Sequence, residues 1–96
     1  MQINEINVSP VKPNNGLVAF ASCVIDNWLY LGSIGIFTKL EGGYRLTFPT
    51  KKIADKSINL FHPINRLKGN EFQEVIINKY EKVMNQQNDR HHSATN

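Results

Sequence analysis

Leu17 to Ile25 carries no charged residue, and both of its alternating sets of side chains are apolar: Val18, Phe20 and Val24 on one side, Leu17, Ala19, Ala21, Cys23 and Ile25 on the other. An antiparallel strand needs only one such face, so this segment belongs in the middle of a sheet. A helix is expected over one side and a further layer, such as a second subunit, over the other. In 96 residues there is room for one domain with a modest core, which makes an oligomer that buries more apolar surface the expectation.

The punctuation around this strand sets the rest of the architecture. Ile3 to Val8 reads as a first strand, closed by Ser9-Pro10 and the turn cluster Pro13-Asn14-Asn15-Gly16. Asp26-Asn27 predicts a tight reversal into a third strand, Trp28 to Thr38, where Gly32 and Gly35 signal a bulge or a close backbone approach. After Glu41-Gly42-Gly43, Tyr44, Leu46 and Phe48 alternate with Arg45 and Thr47, and Pro49 ends this fourth strand because proline lacks the ladder donor. Thr50 to Ile64 is the least regular part, with Ile58, Leu60 and Phe61 able to form a short extra strand. A helix follows, with Asn70 as expected N-cap, Gln73 as its capping-box partner, and Phe72, Val75, Ile76, Tyr80, Val83 and Met84 as an apolar stripe. A start at Asn65 is the alternative, bringing Arg66 and Lys68 into the first turn. The fold class is therefore α+β: an antiparallel sheet of four or five strands with one long C-terminal helix packed on it, dimeric. The domain is expected over 1–84, with a polar disordered tail over 85–96.

Charge narrows the function classes. Phe48 to Lys68 holds five of the eleven basic residues, Lys51, Lys52, Lys56, Arg66 and Lys68, against Asp55 alone, a net of +4 in a chain whose total is +3. A local cationic surface on a nearly neutral body is the electrostatic footprint of a polyanion binder. Lysines at successive strand positions diverge and can meet separate phosphates, while arginine bonds phosphate bidentately or reaches a base edge. Trp28, Tyr30 and Tyr44 are candidates for stacking on unpaired bases.

Catalysis finds little support in the same residues. Of three histidines, His91 and His92 lie in the tail, and His62 precedes Pro63, where a backbone hydrogen bond at the helix entrance is the simpler role. One cysteine, Cys23, assembles neither a zinc set nor an internal disulfide and fits a reducing cytoplasm. Gly42-Gly43 lies between strands, so there is no phosphate-binding glycine loop at a helix start. No apolar run approaches the roughly 20 residues of a membrane helix. Met1-Gln-Ile-Asn-Glu does not read as a secretory start. Neither a cofactor, a metal nor a small-molecule substrate is expected.

These residues together resemble a known family. Val18-Ala19-Phe20-Ala21-Ser22, Asp26, Ile34, Gly43, Phe48-Pro49-Thr50-Lys51-Lys52 and His62-Pro63-Ile64-Asn65, followed by the helix to about Tyr80, are similar to stage V sporulation protein G, the septation protein SpoVG family of bacteria. The resemblance spans roughly residues 2 to 84. It implies a small antiparallel sheet on a C-terminal helix, a homodimer, and a cytoplasmic DNA-binding, also RNA-binding, regulator of sporulation, septation and related gene expression. By position it carries over the basic pair to Lys51 and Lys52 and the helix entrance to Asn65, Arg66, Leu67, Lys68 and Gly69. The chain departs from the pattern after the basic pair, where Ile53-Ala54-Asp55-Lys56 replaces a Pro-Asp-Gly turn, and Asn59 stands where an acid precedes His-Pro. Phosphate contact survives such changes more easily than sequence readout.

The expected reading is a non-enzymatic nucleic-acid-binding protein, with DNA, RNA and a second copy of the chain as partners. Lys51, Lys52, Lys56, Arg66, Lys68 and Arg45 are the expected contact residues, and His62, Pro63 and Asn65 fix the turn into the helix. The competing reading is a protein-interaction module that uses a sheet edge or the basic surface.

Overall fold

The computed structural model describes the backbone of residues 1–95 and the side chains of residues 1–86. Strands β1 (Ile3–Asn14), β2 (Leu17–Ile25), β3 (Leu29–Thr38) and β4 (Tyr44–Thr47) form one antiparallel sheet in the order β1-β2-β3-β4. Strands β5 (Thr50–Ile53) and β6 (Lys56–Asn59) form a separate two-stranded sheet, and helix α1 (Arg66–Thr95) completes the chain. The architecture is α+β, as the sequence predicts, with β2 and β3 central. The polar tail expected over 85–96 lies, from residue 87, outside the described side chains.

Each reversal follows from its turn residues. Asn15 (φ 53°) and Gly16 (φ 93°) join β1 to β2, and Asp26 (φ 48°) and Asn27 (φ 63°) join β2 to β3. Positive φ at both central residues is the geometry whose twist matches a hairpin, and Asn, Asp and Gly adopt it most readily. Asp26 also ties down the chain start, accepting a hydrogen bond from Gln2 N–H at 2.7 Å.

β1 runs six residues past the expected end at Val8, through Pro10 and Pro13. It is an edge strand, the place in a sheet where proline's missing N–H is tolerated. Its ladder with β2 is irregular between Pro10 and Asn14 and again between Asn4 and Asn7, where Glu5 takes φ 48°.

The core lies between the sheet and α1. Ala19, Ala21 and Cys23 of β2 and Ile34 and Ile36 of β3 meet Phe72, Ile76 and Tyr80, spaced four apart on one helix face. Small side chains on β2 leave room for the large ones of the helix, so the two layers interlock. A bulge keeps β3 in phase: Cys23 pairs with Leu31 but Ala21 with Ile34, so Gly32 and Ser33 together oppose Ser22. The extra residue puts Leu31 and Ile34 on the same face, whereas strict alternation would separate them. Gly35 supplies the close approach, since a Cβ there would lie 2.5 Å from Thr47 Oγ1.

Candidate nucleic-acid interface

The segment that looked least regular in the sequence is a hairpin. Thr50 pairs with Asn59, Lys51 with Ile58, Lys52 with Ser57 and Ile53 with Lys56, leaving Ala54-Asp55 as the turn. Every residue of both strands is exposed. Because cross-strand partners share a face, Lys51, Ile53, Lys56 and Ile58 lie on one side and Thr50, Lys52, Ser57 and Asn59 on the other. Lys51 and Lys56 are diagonal neighbours, with stems roughly 7 Å apart. Lys52 points to the opposite side. The period-2 signal was weak here because the checkerboard of Lys and Ile leaves neither face apolar.

An aromatic cluster fixes the hairpin to the body. Phe48, just before it, meets Phe61, just after it, edge to face with ring centroids 5.8 Å apart, and Phe48 also lies 6.2 Å from Phe72 of α1. Leu60 N–H donates to Pro49 C=O at 2.8 Å and closes the base. The base of the hairpin is thus held against α1.

Asn65, not Asn70, caps that helix. Its Oδ1 accepts from Lys68 N–H at 3.0 Å, the bond from an N-cap side chain to the third helical residue. His62 Nδ1 lies 3.1 Å from Pro63 C=O, a bond that forms when that nitrogen carries the proton. Gly69 is explained by Pro63, whose ring carbons lie 3.2 and 3.5 Å from where a Cβ would stand. Gln73 has another task than capping the helix: its Oε1 accepts from Leu46 N–H of edge strand β4, at 3.4 Å. With the start at Arg66, no acid lies in the first turn. Arg66 and Lys68 occupy it instead, at the helix end whose dipole disfavours cations.

The expected cations therefore form groups. Lys51, Lys52 and Lys56 ride the hairpin. Arg66 and Lys68 sit two residues apart on α1 and so face different ways. Arg66 borders a concavity with Leu46 and Gln73, and Lys68 borders an apolar groove of about 390 Å³ lined by Leu29, Leu31, Phe48 and Phe72. Lys68 Nζ is 3.8 Å from Glu71 Oε2, both exposed, the one ion pair among the described residues, and such pairs contribute little. Arg45 stands apart on the sheet face turned away from α1, its guanidinium 4.9 Å from the centre of the Phe37 ring.

Several other candidates are settled by position. Tyr44 is half-buried and packs against the core, its ring 5.1 Å from that of Tyr80. Cys23 is buried and its thiol is raised by burial, the opposite of a reactive thiolate. Among the described residues no three His, Cys, Asp or Glu side chains come together as a metal site, and no helix is long and apolar enough to cross a membrane.

Comparison with known proteins agrees with this architecture over nearly its whole length. Proteins named "Putative septation protein SpoVG" are similar throughout. That of Treponema denticola is 28% identical over 84 residues, covering 86% of this chain and 89% of the relative. That of Clostridium kluyveri is 27% identical, covering 91% of each, and that of Lachnoclostridium phytofermentans is 29% identical, covering 84% and 87%. The SpoVG family model matches residues 1–82, from the first strand to the last buried turn of α1, and the chain belongs to the SpoVG family.

Proposed function

We propose that this chain is a non-enzymatic, homodimeric nucleic-acid-binding regulator, holding the phosphate backbone of DNA, and of RNA, with its hairpin and helix entrance. One observation carries the reading: an exposed hairpin with three lysines and one acid, anchored by Phe48 and Phe61 beside a helix start that itself bears Arg66 and Lys68. Cations in the first turn oppose the helix dipole, and a local rule broken at a small stability cost marks a functional position. Both faces of the hairpin carry lysine, which suits a finger that lies along a groove between two phosphate rows. Lys51, Lys52 and Lys56 supply point charges, and Arg66 can hold a phosphate in two hydrogen bonds.

The test is fluorescence anisotropy against labelled duplex at two salt concentrations. If each subunit of a dimer places about three charges on phosphates, log affinity falls against log salt with a slope of about −5. Lys51→Glu/Lys52→Glu should abolish most of the binding. Salt-insensitive binding, or none to any nucleic acid, refutes the proposal.

The interaction-module reading draws on a different feature: β1 ends the sheet with its outer backbone groups open to a partner strand. Pro10 and Pro13 interrupt that edge, which limits it as a template. Capture of a protein partner that persists at high salt, without DNA retention, would favour it.

A further inference from the structure

The sheet face turned away from α1 carries side chains that the hairpin reading leaves unused. Asn7 pairs with Ser22 and Ser9 with Phe20, so all four lie on this face. Tyr30 joins them through its pairing with Val24, and the bulge adds Ser33, held at φ 58°. Together these six line a concavity of about 290 Å³, near the lower bound of about 300 Å³ for small-ligand sites. Tyr30 is 68% exposed and Phe20 43%. The Tyr30 ring is seated on Gly32, where a Cβ would come within 2.9 Å of it, so the missing side chain gives the ring a flat support. Beyond Phe20 along the same face come Phe37 and Arg45, roughly 20 Å from Tyr30 along the strand.

Chemistry and charge select the occupant. Flat aromatic rings separated by hydroxyls and an amide suit a planar heterocycle with donors and acceptors on its edge, where an aliphatic partner would leave those polar groups unpaired. Across the four strands the single carboxylate is Glu5, at the β1 bulge, while Arg45 stands on the face with no ion pair among the described residues. An anionic chain of planar groups fits this pattern: bases on the rings, phosphates toward Arg45.

We infer that the open face of the sheet is a second nucleic-acid site, which takes unpaired bases of single-stranded RNA or DNA by stacking on Tyr30 and Phe20, with Asn7, Ser9, Ser22 and Ser33 bonding the base edge in the concavity between them. The inference rests on the reading of the chain as a nucleic-acid binder but uses different residues from the hairpin site. A base-stacking ring is worth about 1–3 kcal/mol per base, which is about fivefold to more than a hundredfold in affinity.

The experiment titrates the protein against labelled oligo(U) RNA, oligo(dT) and a duplex of equal length, with sedimentation velocity and circular dichroism on every variant. Tyr30→Ala should weaken single-strand binding at least fivefold and leave duplex binding unchanged. Tyr30→Phe should keep single-strand affinity, and Lys51→Glu/Lys52→Glu should show its larger loss on the duplex. Wild-type binding to single strands that depends on Tyr30 but is absent for duplex supports the stacking site while refuting the hairpin one. Unchanged single-strand affinity in folded Tyr30→Ala, an equal loss on strand and duplex, or conversion of a dimer to a monomer by that substitution, which would mean a second copy covers this face, overturns the inference. So does a wild-type chain that binds no single strand.

Discussion

The rings of Phe48 and Phe61 meet at 74° with centroids 5.8 Å apart, pinning together the two ends of a hairpin that has no buried residue of its own. Twelve residues lie between them in sequence, and this exposed segment is held to the domain largely by this contact and by the bond from Leu60 to Pro49. The placement of three lysines thus depends on two phenylalanines.

Phe61→Ala should therefore affect both stability and binding. Losing an aromatic pair and part of its buried area costs about 2 kcal/mol in a urea melt. Affinity for duplex should fall several-fold although no charge is removed, because the hairpin no longer has a fixed direction. Phe61→Leu should recover most of the stability. Unaltered binding in Phe61→Ala would show that the lysines act as a loose cluster.

The cap at Asn65 gives a cleaner stability test. Asn65→Ala removes the acceptor for Lys68 N–H and should destabilise the protein by about 1 kcal/mol. Asn65→Asp keeps the acceptor and places a negative charge at the positive end of the helix, so stability should hold or rise slightly. The same substitution sets an anion beside Arg66 and Lys68 and should weaken duplex binding. Thermal melts and anisotropy separate the two effects.

Ala54 holds φ 56° at the first position of the hairpin turn, a conformation that costs an L-residue about 1–2 kcal/mol and glycine nothing steric. Ala54→Gly should stabilise the hairpin by about 0.5–1 kcal/mol after glycine's greater entropy loss is subtracted. Hydrogen exchange at the hairpin amides is the readout, since a global melt averages over the sheet and helix that dominate it.

Alkaline pH should weaken the fold through Tyr80. Burial above all, with the Tyr44 phenol and Glu81 nearby, holds its phenol above the usual value of 10.0. The unfolded chain releases that proton first, so the contribution is complete below pH 10 and declines as pH rises through the folded value. Tyr80→Phe should flatten the fall in stability above about pH 10, measured by urea melts at a series of pH values. An identical decline in the variant would assign the effect elsewhere.

Elements whose information is local or periodic could be read from the chain alone. Asn15-Gly16, Asp26-Asn27 and Gly42-Gly43 set the reversals through positive φ, β2 declared itself central through two apolar faces, and Phe72, Ile76 and Tyr80 declared the helix face that meets it. The concentration of lysine and arginine between Phe48 and Lys68 was legible as well, and so was the family. Features that depend on partners distant in the chain emerged with the packing. An edge position let β1 continue through two prolines, the Phe48–Phe61 contact turned an irregular segment into a hairpin, and Gln73 left the helix cap to hold Leu46. The same holds for the cations: composition gathered them, but strand pairing set Lys51 with Lys56 and turned Lys52 away, because which face a residue occupies is fixed by register and not by its neighbours in sequence.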